Sequence, residues 1–125
     1  MRVLIADDDG LVAHHTGRVM RRLGHTIVGT AGTGRHAVEM ARALEPDLAL
    51  LDIVMPEMDG LEAARAILAE RRIPIVFITG NPSADLPSQV TALGAAGYVL
   101  KPVTETKLSR AIGEALARQE PPTPH

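Results

Sequence analysis

The chain has 125 residues, 46% apolar and 22% charged, with a formal net charge of −2, the profile of a single soluble globular domain that buries about two thirds of its unfolded surface. The absence of cysteine excludes a disulfide scaffold, a thiolate metal site and a cysteine nucleophile. The slightly acidic balance argues against nucleic-acid binding through a basic field, and one Phe, one Tyr and no Trp leave no aromatic platform for bases.

In chain order, the first apolar run, residues 2–6, reads as a strand that ends in Asp7-Asp8-Asp9. It is too short for a signal peptide or a membrane span, and no other segment approaches 18 apolar residues. A cytoplasmic location without membrane attachment is the expectation. An amphipathic helix follows, with Val12, Val19 and Leu23 on one face and Asp9 as a favoured N-cap. His14 and His15 are adjacent and cannot form a metal pair on one helix face. They, with His25, His36 and His125, are expected at the surface. A second strand over 26–29 leads to a helix with Ala37, Ala41 and Leu44 on its inner face.

The third strand, 47–51, delivers Asp52, and the following helix carries Leu61, Ala64 and Leu68 inward behind an N-cap at Asp59. A fourth strand, 74–79, ends in Thr79. Two prolines within 80–87 delay the next helix; it is expected to begin near Asp85 as N-cap and run short to Leu93, in a mobile region. The fifth strand, 97–100, ends at Lys101-Pro102, and the last helix buries Leu108, Ile112 and Ala115. Residues 1–119 form the expected domain. Pro121, Pro122 and Pro124 mark 120–125 as a disordered tail or the start of a linker.

Five short runs, each apolar on both alternating faces, thus alternate with five helix-period segments. That is a (βα)5 pattern: an α/β domain with an open parallel sheet covered on both sides. Ligands of such sheets bind beyond the carboxyl ends of the strands. There the sequence supplies Asp7, Asp8 and Asp9, then Asp52, then Thr79, then Lys101. Converging carboxylates repel one another unless a cation joins them. Hard oxygens with open positions suit Mg2+, and a lysine opposite them suits a phosphate as a point charge. The chemistry is a Mg2+-dependent phosphoryl site with a carboxylate nucleophile. Arginine outnumbers lysine eleven to two, so Lys101 and Lys107 stand out for their compact ammonium groups.

Taken singly, these residues have plainer readings. Asp7–Asp9 can cap a helix, Thr79 can be a β-branched strand residue, Lys101 a solvated lysine and Tyr98 plain core. Together they form a pattern: the pair Asp7-Asp8, the string Leu50-Leu51-Asp52-Ile53-Val54-Met55-Pro56-Glu57-Met58-Asp59-Gly60, then Thr79-Gly80, then Gly97-Tyr98-Val99-Leu100-Lys101-Pro102. In these motifs residues 2–118 resemble the receiver domain of two-component response regulators.

The resemblance implies a doubly wound, flavodoxin-like sheet of strand order 2-1-3-4-5. Asp52 would be the phosphoacceptor. Asp7 and Asp8 would bind Mg2+ (or Mn2+), with Asp8, Asp52 and the backbone carbonyl of Val54 as direct ligands. Thr79 would donate its hydroxyl to the phosphoryl group. Lys101 would pair with Asp52 at rest and with phosphoryl oxygens afterwards, and the Lys101–Pro102 bond would be cis. Tyr98 would be the switch aromatic, exposed when idle. The implied donor is a sensor histidine kinase or phosphotransfer protein. The implied output surface is the face of helix 4, strand 5 and helix 5, read by a downstream protein or domain or by a second copy in a homodimer. Such a protein is a switch and not a turnover enzyme.

Some positions depart from the usual pattern. Val54, two residues past Asp52, cannot hydrogen-bond an attacking water, whereas Asn81, two past Thr79, has an amide that can. Gly80 in place of the usual Ala gives a weak resemblance to receivers paired with one atypical kinase subfamily. Two other functions compete. Asp7-Asp8-Asp9-Gly10 resembles the first motif of haloacid-dehalogenase-type phosphatases, with Asp7 as nucleophile and Asp9 as acid, but that family needs a late acidic motif. Only Glu105, Glu114 and Glu120 follow Lys101. The other alternative is a degenerate receiver that serves only as an interaction module.

Overall fold

The computed structural model describes residues 1–119. In chain order the elements are β1 (Arg2–Ala6), α1 (Gly10–Arg22), β2 (Thr26–Ala31), α2 (Gly34–Leu44), β3 (Leu48–Asp52), α3 (Gly60–Glu70), β4 (Ile75–Thr79), α4 (Leu86–Leu93), β5 (Gly97–Leu100) and α5 (Glu105–Gln119). The strands form one parallel sheet in the order β2-β1-β3-β4-β5. The tail at 120–125, with His125, lies outside the described residues.

Alternation along the strands separates two cores. Leu4, Ala6, Ala49, Leu51, Ile75 and Phe77 point to one face, where they meet Ala37 and Ala41 of α2, Ala63, Ala64 and Ile67 of α3, and Leu86 and Val90 of α4. Val3, Ile5, Leu48, Leu50, Val76 and Ile78 point to the other and meet Val19 and Met20 of α1 and Leu108, Ile112 and Ala115 of α5. Burying one such Leu or Ile contributes about 1.5–3 kcal/mol. β1, β3 and β4 are covered on both faces as expected. The edge strands β2 and β5 are only partly covered.

Several boundaries and faces differ from the sequence reading. β2 runs to Ala31 and does not stop at Gly29. Thr30 and Ala31 pair with Ile5 and Ala6, and one residue is bulged out after Val3 pairs with Ile27. Gly29 breaks the apolar run because α2 packs there: a Cβ would collide with Leu44 and crowd Met40. β3 begins at Leu48, since Asp47 is taken up by Arg2: its N–H donates to the Arg2 carbonyl (2.8 Å) and its Oδ2 accepts from the Arg2 N–H (2.8 Å). Asp52 is therefore the last residue of the strand, paired with Ile78. Pro74 lies just outside β4.

The buried stripe of α1 is Ala13, Thr16, Gly17, Val19 and Met20; Val12 and Leu23 only flank it, half-buried. Small residues there let the helix lie close to the sheet. α4 spans the expected residues, with Pro87 in its first turn where the missing N–H costs nothing. Asp85 makes no side-chain cap bond, however; the Leu86 N–H is taken by the Ser83 carbonyl at 3.1 Å. Of the described histidines, His14, His15 and His36 are exposed as expected, although the His15 ring also reaches the Val103 carbonyl at 2.8 Å; His25 departs, half-buried with its Nδ1 3.1 Å from the amino group of Met1.

Two glycines govern how the loop after β3 packs. A Cβ on Gly60 would overlap the Asp52 carbonyl, and one on Gly34 would overlap the Met58 carbonyl; both obstacles are backbone. Gly113 on α5 has open space around it. Gly60→Ala and Gly34→Ala should each cost at least about 2 kcal/mol through overpacking. Gly113→Ala should stabilise by about 0.5–1 kcal/mol, the ordinary helix gain. Denaturant midpoints of the three variants check this; equal midpoints for Gly60→Ala and Gly113→Ala would refute the close approach.

Candidate functional site

Parallel register brings the strand ends to one edge. Ala6 pairs with Leu51, Asp52 with Ile78, and Thr79 with Leu100. The chain therefore leaves the sheet at Asp7, Asp52, Thr79 and Lys101 from four neighbouring strands. The Asp7 N–H is still held by the Ala31 carbonyl at 2.9 Å, and the Lys101 N–H by the Thr79 carbonyl at 2.8 Å.

Asp7, Asp52 and Thr79 are buried, while Asp8 is exposed beside them. Asp7, Asp8 and Asp52 each offer a carboxylate oxygen, all within 4.8 Å of one another. Oxygens on opposite sides of one Mg2+ are about 4.2 Å apart. Three hard donors at this spacing, with room for water, fit a small divalent cation.

The Lys101 ammonium bridges the two buried acids. Its Nζ is 3.1 Å from Asp52 Oδ2 and 3.4 Å from Asp7 Oδ2. The remaining oxygens are held by backbone. The Asp9 N–H donates to Asp7 Oδ1 (2.9 Å), and the Val54 N–H donates to Asp52 Oδ1 (3.4 Å). The Asn81 N–H donates to Thr79 Oγ1 at 3.3 Å. No buried side-chain N or O among the described residues lacks a partner.

Three carboxylates gather here and only two of them meet the one ammonium, so the cluster holds excess negative charge. Burial pushes Asp7 above its ordinary value; the Asp9 N–H pulls it down, the Asp52 charge pushes it up again, and Lys101 only partly offsets this. Burial pulls Lys101 down, but the hydrogen bond and charge of Asp52, then the charge and hydrogen bond of Asp7, outweigh it and leave Lys101 above the usual lysine value.

Asp7, Asp8, Asp52, Thr79 and Lys101 are thus one constellation. Val54 presents its N–H to Asp52 while its side chain projects outward, 72% exposed. Tyr98 lies on β5, opposite Phe77 in register, and is 38% exposed. It borders a cleft of 440 Å3 between α4 and α5, lined also by Pro87, Val90, Ala111 and Glu114. The Lys101–Pro102 bond is cis. Asp9 is the N-cap of α1, its Oδ1 accepting from the N–H groups of Leu11 (3.0 Å) and Val12 (3.3 Å). Asp59 caps α3 through the Glu62 N–H at 2.8 Å.

Sequence reasoning did not single out Gly34, nor the ties from His15 and Lys107 to the loop after β5. No local pattern signals these contacts, because each joins distant elements or closes an irregular loop.

Lys101→Met should destabilise the metal-free protein by about 1–3 kcal/mol, less than for a fully buried pair because the ammonium is partly solvated. Asp7→Asn should raise metal-free stability at pH 7. A carboxyl whose folded pKa is raised contributes stability only at low pH and loses it as pH rises through the folded value. The advantage of Asp7→Asn should therefore shrink as pH falls through the raised folded value and be gone once pH is below the unfolded value of about 4. Urea titrations at pH 7 and pH 3.5 check both signs.

The response regulator receiver domain family model matches residues 3–113. The transcriptional regulatory protein PdtaR of Mycobacterium tuberculosis is 40% identical over 117 residues, which cover 94% of this chain and 57% of that protein; the chain spans a little over half the length of this relative. The chemotaxis protein CheY of Treponema pallidum is 33% identical over 118 residues, 92% of this chain and 82% of that one. The signal receiver domain of the response regulator NarL from Mycobacterium tuberculosis superposes with a TM-score of 0.85 at 33% identity, covering 95% and 97% of the two chains. Such sequence and structural likeness extends over the strands and loops that carry the acidic cluster, and this chain belongs to the response regulator receiver domain family.

Proposed function

We propose that this domain is a phosphorylation switch in which Asp52 accepts a phosphoryl group from a phosphohistidine. The observation that carries the reading is the buried Asp52 carboxylate with Lys101 Nζ at 3.1 Å and the oxygens of Asp7 and Asp8 within 4.8 Å. Asp7, Asp8 and Asp52, with the Val54 carbonyl, would hold Mg2+ (or Mn2+). Bound there, the ion supplies charge neutralisation and orients a phosphoryl oxygen.

The protein's own groups do the rest. An Asp52 oxygen attacks phosphorus in line. The new bond is O–P, the bond broken is the donor's P–N, and its electron pair stays on the imidazole nitrogen. Lys101 shifts from the Asp52 oxygen to a phosphoryl oxygen, and Thr79 donates its hydroxyl to another. The modification adds about −1.5 to −2 charges to a site already rich in carboxylates. That draws Thr79 inward and frees space for the half-exposed Tyr98 to follow, altering the face of α4, β5 and α5. Moving the population from about 1:99 to 99:1 takes roughly 5.5 kcal/mol of preference for the active state.

The proposed partners are a sensor histidine kinase or phosphotransfer protein on one side and an output protein, domain or second copy on the other. Residues 1–119 are proposed as the receiver and 120–125 as a tail or linker. No described helix is long and apolar enough to cross a membrane, and a cytoplasmic location is part of the proposal. The aspartyl phosphate is hydrolysed within the domain, at a rate influenced by Val54 and Asn81.

Incubation with a small phosphodonor and Mg2+, read by intact mass, tests the assignment. The wild type should gain one phosphoryl group and Asp52→Asn none; an adduct that survives Asp52→Asn sinks the reading. Turnover of the donor abolished by Asp7→Asn but not by Asp52→Asn would instead mark a phosphatase, and no adduct in the wild type a degenerate module. In the absence of tryptophan, Tyr98 emission reports the switch. Thr79→Ala should still gain the adduct but lose the phosphorylation-dependent change in emission.

A further inference from the structure

The loop after β5 must aim the Lys101 ammonium between Asp52 and Asp7, yet β5 is an edge strand. Among the described residues no further strand lies on its outer side to supply donors. Pro102 has no N–H to contribute. The loop is held instead by side chains. Lys107, in the first turn of α5, turns its ammonium back to donate to the Leu100 carbonyl and to the Pro102 carbonyl, both at 3.2 Å. These two residues flank Lys101 on either side. The backbone N–H of Lys101 is pinned from the inner side by the Thr79 carbonyl at 2.8 Å. Farther along, the His15 ring of α1 holds the Val103 carbonyl at 2.8 Å.

Lys107 is also electrostatically out of place by local rules. A cation in the first turn of a helix opposes the helix dipole, and the Lys107 N–H is already used in the cap, donating to Thr104 Oγ1 at 3.2 Å. Its side chain runs back to two carbonyl oxygens, where an ammonium with three donors is well matched. Lys101 and Lys107 are the only lysines in the chain: one faces the acids, and the other clamps the backbone that carries it.

We propose that Lys107 is a positioning residue for Lys101, a clamp on both flanking carbonyls that fixes the direction of the Lys101 ammonium toward Asp52 and Asp7. It touches neither the acids nor any phosphoryl group and acts only through Lys101. Because His15 and the Thr79 carbonyl hold the loop independently, loss of the clamp leaves the fold intact and loosens the aim. The proposal rests on the reading of Asp52 as phosphoacceptor, with Lys101 as its cation.

Two lysines make a direct test simple. In metal-free protein with 13C,15N-labelled lysine, the side-chain Cε–Nζ signals belong to Lys101 and Lys107 alone. Lys107→Met should move the Lys101 signal toward the position of a free lysine, and Lys107→Arg, which keeps several N–H donors, should leave it near the wild-type position. With a small phosphodonor and Mg2+, Lys107→Met should gain its adduct about tenfold more slowly, the scale expected for a misaimed group. Lys107→Arg should stay within about twofold of wild type, and the Mg2+ concentration for half-maximal rate should be unchanged. An unshifted Lys101 signal, or a wild-type rate in Lys107→Met, overturns the proposal. Asp52→Asn run alongside separates the two levels: an adduct there refutes the phosphoacceptor, whereas no adduct there with a normal Lys107→Met refutes only the clamp.

Discussion

Burial on both faces of a parallel sheet is the constraint on which this molecule depends. The three central strands are buried along nearly their whole length, so they have no place for a charge until they end. Register makes β1, β3 and β4 end together, with β5 beside them. Every polar group deferred along these strands therefore emerges at one edge. The acidic cluster, the threonine and the lysine are close because the apolar interior excludes them from everywhere else.

That edge is not arranged for stability. Three carboxylates crowd together, two of them on one ammonium, and Asp7 is held above its ordinary pKa by burial against an opposing backbone hydrogen bond. A site designed only to stabilise the fold would replace these groups with packed apolar residues. The surplus negative charge fits the divalent cation proposed for this site, and the remaining local geometry keeps the acids from spreading apart. Gly60 and Gly34 let the loop after β3 lie flush against α2 and α3. Backbone N–H groups of Asp9 and Val54 hold one oxygen of Asp7 and of Asp52. Helix N-caps at Asp9 and Asp59 place α1 and α3 immediately behind the two acid-bearing strands.

Much of this was legible in the chain, for identifiable reasons. The strands are short and doubly apolar, so their number and class stand out. The string from Asp52 to Gly60 is local, and its elements perform local tasks: proposed acceptor, loop, cap and close-packed glycine. The parts that escaped are those whose cause lies elsewhere in the sequence. Gly29 reads as a strand end but is a contact point for Leu44 and Met40 of α2. Asp47 reads as the start of β3 but is engaged by Arg2. The α1 stripe is rotated because glycine and threonine can face a sheet as well as valine can. His25 looks like a surface residue until the amino terminus that it meets is in place, and the tie from the exposed His15 to the loop after β5 has no local signal.

The sequence by itself determined which chemistry is available and in what order it occurs along the chain, because strand ends, caps and breakers act over a few residues. The tertiary structure alone decided which oxygen meets which nitrogen. Lys101 lies 49 positions from Asp52 and also reaches Asp7, and only parallel register across β1, β3, β4 and β5 brings the three together. The clamp of Lys107 on the carbonyls around Lys101 belongs to the same class. It is short in sequence, but it depends on the turn that carries α5 back along the edge of the sheet, a geometry that no pattern of residue types encodes locally.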